Sequence, residues 1–475
     1  MEQAVSDGLL FHSEGTMSGK AMAKKRSGPE RHAAAIFGYL RVFLMTAAIL
    51  ISCLLAVTQI PREWVQGNLE SSARLLSEQD FYYNLEASVD STKIDHFADS
   101  VLMSIVWYQD GKHPVRSVLR SDYYYASGNI GNSLLKTVTE NPPANREYLR
   151  YWHGSAIPVR LLHLFGNIRQ IWLFHAAVLI ALLLLLLAVL WRGGFRLEAA
   201  SVLISLAAVS SWVVPFCLEY YWVFLLMLLC SVWGVRFALK ERYDLCGSLF
   251  LVCGTCTSFF DFLTTETLTL LIPLLLIIRI RSLSDCFEKE DAGKRWCFLM
   301  KQAFLWLAGY CLMWSSKWLL SSIALKQNVL PDIFRHIEER TAGIGSTGLP
   351  LSRYLTETFR RNTGLLVPLN RGIGNGLLLM AVVLIILEGT LLWRYLCVKR
   401  RADAGRILPY LALGCLPYCR FLLLHNHSYV HYFFTYRAQA ATVLAVCLII
   451  LEILQKDALP RKRRTDIKDK AGVRP

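Results

Sequence analysis

Ala176 to Leu190 reads AAVLIALLLLLLAVL, a run with no polar or charged side chain. Extended to Ile171 and Trp191, it reaches the ~20 residues that cross a bilayer. A helix apolar on every side has no face to turn to water. The rest of the chain has the same character. Of its 475 residues, 54% are hydrophobic and 18% charged, against ~25% charged in soluble domains. These features predict an all-α polytopic membrane protein, because backbone polar groups in lipid must be satisfied inside helices or closed barrels.

Working outward, ten apolar runs are predicted as spans: Ile36–Val57, Ile171–Trp191, Ala199–Leu218, Tyr220–Val235, Leu245–Phe259, Leu263–Ile280, Gln302–Leu325, Ile373–Trp393, Ile407–Leu424 and Ala438–Leu454. The net charge of +15 gathers in the tails and in short segments between runs, such as Arg236-Lys240-Arg242 and Lys399-Arg400-Arg401. The positive-inside rule then puts both termini in the cytoplasm. The expected organisation is a cytoplasmic tail over 1–35 and a seven-span module over 36–325 with a long outer loop at 58–170. A second outer loop (326–372), a three-span module (373–455) and a basic cytoplasmic tail (456–475) follow. The setting is the cell membrane and its lipid. The positive charge is not matched by a basic-aromatic reading surface, which excludes nucleic acid as a partner.

The long outer loop is predicted to carry surface helices. Thr92-Lys-Ile-Asp95 resembles a capping box, with Asp in the place of Glu. Ile94, Phe97, Val101, Leu102 and Ile105 then recur at helical spacing, as in an amphipathic helix lying on the membrane. Asp95 and Asp99 share one face of it. In the second outer loop, Ile333 to Arg340 is a short amphipathic segment, followed by a bend rich in glycine (Gly343, Gly345, Gly348). The thirteen cysteines sit mostly in or beside apolar runs, as small apolar fillers rather than disulfides. Cys253-Gly-Thr-Cys256 reads as small-residue helix packing.

Unusual polar residues collect on the expected outer face. They are Asp95 and Asp99, Glu219 at the third-to-fourth turn, Asp261 at the fifth-to-sixth turn, and Lys317 near the end of span seven. The stretch Arg420 to Arg437, RFLLLHNHSYVHYFFTYR, adds Arg420, His425, Asn426, His427, His431 and Arg437. Polar groups at such positions are expensive unless they line water or a site. Carboxylates there suit a general base or a divalent cation. Arginine, lysine and histidine suit a phosphate. Each also has a structural reading: helix caps for the acids, a snorkelling Lys317, solvated histidines. The histidine spacing lacks a zinc pattern.

This layout resembles the polytopic GT-C-type glycosyltransferases, in which a long loop after span one carries the catalytic acid and a second long loop follows span seven. The matching parts are Ile60–Asn167, Glu219, Asp261 and Lys326–Arg371, while the position soon after span one holds Glu63. The resemblance implies transfer of a sugar from a polyprenyl-phosphate-linked donor to a glycan or polymer acceptor. Asp95, Asp99, Glu219 and Asp261 would be catalytic, and Lys317, Arg420, His425, Asn426, His427, His431 and Arg437 would bind substrate phosphate. A lipid-linked saccharide flippase and a non-catalytic membrane scaffold are the alternatives.

Overall fold

In a computed structural model, the chain is described over residues 28–126, 128–283, 292–341, 349–366, 382–383, 385–390, 392–393 and 404–454. It is built from helices, with one two-stranded hairpin. Seven helices among the described residues are long and apolar enough to cross a membrane: Ala33–Val57, Ile168–Arg192, Leu218–Leu239, Tyr243–Phe260, Ala292–Leu325, Gly405–Leu423 and Tyr432–Leu454.

After α1 (Gly28–Val57) the insert begins. It holds α2 (Arg62–Ser77), the antiparallel hairpin β1 (Tyr82–Asn84) and β2 (Lys93–Asp95), α3 (His96–Tyr108), α4 (Pro114–Arg120), α5 (Ile130–Glu140) and α6 (Ala156–Leu162). The main bundle follows: α7 (Ile168–Arg192), α8 (Arg196–Ala208), α9 (Leu218–Leu239), α10 (Cys246–Phe260), α11 (Leu268–Ser282) and α12 (Ala292–Leu325). Next come α13 (Leu330–Thr341) and α14 (Leu351–Thr363), then α15 (Ala404–Leu423), two short turns α16 (His425–Val430) and α17 (Tyr432–Thr435), and α18 (Ala440–Leu454).

Two expected spans are shorter than predicted. The third run breaks: α8 stops at Ala208, Ser210 takes a left-handed conformation (φ 48), and Pro215 sits in the 3-10 segment Ser211–Phe216. The sixth, α11, has 15 residues around Pro273, a rise of about 22 Å against a hydrocarbon core of ~30 Å. Leu268 to Ile277 are all buried, so α11 is an inner helix, apolar all round because protein surrounds it. The eighth run and the glycine-rich bend lie largely or wholly outside the described residues, as do most of the two tails.

Small residues seat α10 against α12. A Cβ on Gly254 would lie 2.0 Å from the Trp306 carbonyl, and one on Gly309 would lie 2.3 Å from that of Leu251. At that separation only hydrogen fits, which agrees with a packing role for Cys253 to Cys256. The described cysteines are all free. At the end of the bundle away from the insert, Arg279 is buried. Its guanidinium donates to Glu198 (2.8 Å) and Glu452 (2.5 Å), tying α11 to α8 and α18. Arg279 lies at the end of the sixth predicted run, and the fold turns it into an internal clamp.

The insert corrects a further expectation. The helix after the predicted capping box starts one turn later, at His96. Its N-cap is Asp95, whose Oδ1 accepts from the Ala98 amide at 3.0 Å. Thr92 instead closes the preceding turn, donating to the Val89 carbonyl and accepting from the Glu86 amide. Ser100 to Trp107 are buried without a break, so α3 does not lie on a membrane surface. The apolar spacing read as a one-sided stripe is part of a helix enclosed on nearly all sides.

Candidate functional site

Two tight connections bring acids to the end of the bundle that carries the insert. At the first, α9 starts directly after the 3-10 segment, and its free amides point at Asp99 of α3. Asp99 Oδ1 accepts from Leu218 N (2.9 Å) and Glu219 N (3.3 Å), while its Oδ2 faces His96 Nδ1 at 3.4 Å. The carboxylate satisfies orphan donors where the helix dipole favours negative charge. Asp99 is therefore a cap given across the chain to another helix. Glu219, one residue into α9, is buried, and its Oε2 makes no hydrogen bond.

At the second connection, between α10 and α11, Asp261 folds the chain back. Its Oδ2 accepts from Leu263 N (2.9 Å) and Thr264 N (3.1 Å), and its Oδ1 from the Thr264 hydroxyl. These bonds hold Leu263 at φ 70. The turn exposes two carbonyls and Glu266 to Arg420 of α15. Arg420 Nε and one terminal nitrogen grip Glu266 at 2.7 and 2.9 Å, and the same terminal nitrogen donates to the Leu263 and Thr264 carbonyls. Both partners are buried. Glu266 was invisible to the sequence reading because it sits inside a run taken for the start of a span.

These acids feel one another. Burial, then Asp99, pushes Asp95 up to about 7. Burial, then Glu266, pushes Asp261 up to about 7. Tyr82, on the hairpin, is raised by burial and by the nearby charges of Asp95 and Glu219. Glu219 lies within electrostatic reach of Asp95, Asp261 and Asp99, and of one cation, Arg340 on α13. Arg340 also reaches His427 and His431. Burial lowers both histidines first, His431 to about 4, so at neutral pH they are uncharged. Their rings lie 4.9 Å apart, each leaves Nδ1 without a partner, and His431 stacks on Phe434.

The other nominated residues serve the fold. Lys317 does not snorkel: it is fully buried, donates to the Val118 carbonyl at 2.8 Å and lies over the Trp152 ring. Arg437 is buried too, donating to the Ser91 and Phe433 carbonyls and covering the Tyr220 ring at 4.7 Å. His425 packs edge-on to Tyr354 with Nδ1 beside the Leu422 carbonyl. Asn426 accepts from the Tyr354 hydroxyl at 2.7 Å and donates to the Glu339 carbonyl, which fastens α16 to α13 and α14. The sequence missed Arg340, since a lone arginine on an amphipathic loop segment looks like any solvated charge. Among the described residues, no group of three or more His, Cys, Asp or Glu is arranged to hold a metal ion.

The end of the bundle thus combines an unpartnered buried carboxylate oxygen, two acids poised near neutrality, two neutral histidines and a cation that makes no hydrogen bond or ion pair among the described residues. Such a set can take a proton from a hydroxyl on one side and hold an anion on the other. No family model, curated protein or solved structure matches the chain.

Proposed function

We propose that the chain is a membrane-embedded glycosyltransferase. On this reading it moves a sugar from a polyprenyl-phosphate-linked donor to a hydroxyl of a glycan or polymer acceptor, at the outer face of the cell membrane. One observation carries the reading: Glu219 Oε2 is buried and without a hydrogen bond, and the group lies within electrostatic reach of Asp95, Asp261 and Arg340. A buried acid with no partner is costly, and substrate contact is what would repay it.

Chemically, Glu219 in its carboxylate form takes the proton of the acceptor hydroxyl as its oxygen attacks the anomeric carbon. The bond from that carbon to the donor phosphate oxygen breaks, and the electron pair leaves with the lipid phosphate. Arg340 opposes the charge growing on that phosphate, and His427 and His431 offer ring N–H donors to it. Asp95 and Asp261 keep the neighbourhood acidic and tune Glu219. Asp99 holds the start of α9, which sets the position of Glu219.

The test uses membranes containing the full chain, supplied with polyprenyl-phosphate-linked sugars and scored for transfer. Glu219→Gln keeps the shape and removes the base. Product formation is expected to fall roughly 100-fold or more, with the amount of protein in the membrane unchanged. Wild-type transfer by Glu219→Gln sinks the proposal.

A further inference from the structure

One cavity has none of Asp95, Asp99, Glu219 and Asp261 in its lining. It measures about 630 Å³ and is bounded by α4 and the preceding His113, by Glu147, and by the end of α12 at Ala324 and Leu325. Its walls are held from three directions. Lys317 of α12 donates to the Val118 carbonyl of α4. Tyr148 N donates to the Arg120 carbonyl at 2.9 Å. The Arg120 side chain is paired with Glu147 and, at 3.3 Å, with Asp122. Arg116, one turn before Arg120 on α4, is exposed and makes no hydrogen bond or ion pair among the described residues.

The depth of this cavity follows from the length of α12. Between Lys301 and Leu325 the helix carries one charge, and that one, Lys317, is fully buried. This stretch rises about 36 Å, just over the ~30 Å of a hydrocarbon core. Leu325 therefore stands at headgroup level. Leu320 precedes Ala324 by four residues, so the two share one face of the helix. Leu319, Leu320 and Ile323 are exposed, as side chains that meet acyl chains would be. The cavity thus sits where a lipid-facing stripe runs out into a pair of arginines.

We infer that this cavity binds the headgroup of an anionic glycerophospholipid. The phosphate sits on Arg116 and on the guanidinium N–H groups of Arg120 that Glu147 and Asp122 leave free. An acyl chain runs along the Leu320 face of α12. Arginine is suited to this because its fork matches phosphate oxygens. Glu147 lies beside the phosphate position and accepts from a hydroxyl of the same headgroup. This inference does not rest on the glycosyltransferase reading, since none of its residues belongs to the acid cluster.

The experiment purifies the full chain into phosphatidylcholine nanodiscs with and without phosphatidylglycerol, then counts retained lipids by native mass spectrometry after detergent exchange. Wild type is expected to keep phosphatidylglycerol in preference to phosphatidylcholine. Arg116→Gln, an exposed change, is expected to weaken retention roughly tenfold. Ala324→Trp, which fills the cavity from its apolar wall, should do the same with the arginines intact. Equal retention by wild type and both variants overturns the inference. So does displacement of the lipid by excess inorganic phosphate to the same extent as by free phosphatidylglycerol, which would assign the arginines to a soluble anion.

Discussion

Arg420 is the residue on which a binding role and a structural role give opposite results. Its guanidinium is buried, grips Glu266 through two hydrogen bonds and supplies two more to the carbonyls of Leu263 and Thr264. Arg420→Met keeps the length of the side chain and removes all four. It leaves Glu266 as an uncompensated buried acid, a change that costs about 3–5 kcal/mol. Adding Glu266→Gln removes the stranded charge, so the double variant is expected to recover at least half of that loss. Guanidinium unfolding of the purified protein in detergent, followed by tryptophan fluorescence, measures each member of this double-mutant cycle. The reasoning is refuted if Arg420→Met unfolds at the wild-type midpoint, or if the double variant is no more stable than the single. Wild-type stability combined with lost transfer would instead return Arg420 to the substrate.

Further predictions concern the acids and the helix seam. Asp95 and Asp261 are both pushed up to about 7 by burial, against ~3.9 for an unfolded aspartate. Between those limits the folded chain keeps protons that the unfolded chain has released. Their contribution to stability is therefore complete below about pH 4 and is lost as the pH rises through about 7. Asp95→Asn and Asp261→Asn should each flatten that slope in unfolding midpoints taken from pH 4 to 8, and an unchanged slope in both would count against the burial argument. At the α10–α12 seam, Gly254→Val must push against the Trp306 backbone, and a loss of roughly 3 kcal/mol or more is expected, seen as reduced yield and a lowered melting point. Gly67→Ala on α2 meets open space and should hold or slightly raise the melting point.

The apolar runs were enough to establish the helical membrane character, because a span must hide its backbone polar groups inside one helix, and that demand is local. Ala176 to Leu190 needs no partner to be read, and it lies within a helix of 25 residues. Small residues at Gly254 likewise announced close packing, although not against which helix. Span lengths were less legible. Pro215 and Ser210 end the third run, and burial on all sides lets α11 be shorter than the bilayer, since a helix wrapped by protein is relieved of the need to match lipid thickness.

For the candidate site, chain order alone identified Asp95, Asp99, Glu219 and Asp261 as unusual, because acids beside apolar runs are rare whatever surrounds them. Only the tertiary structure separated their roles. Asp99 caps α9 from 119 residues away, Arg420 closes on a glutamate 154 residues distant, and Lys317 and Arg437 turn inward to backbone carbonyls. A charge next to an apolar run has the same local signature whether it meets water, a ligand or another part of the chain. Its partner is set by which helices pack together, and that is why Arg340, a cation within electrostatic reach of Glu219, emerged only from the fold.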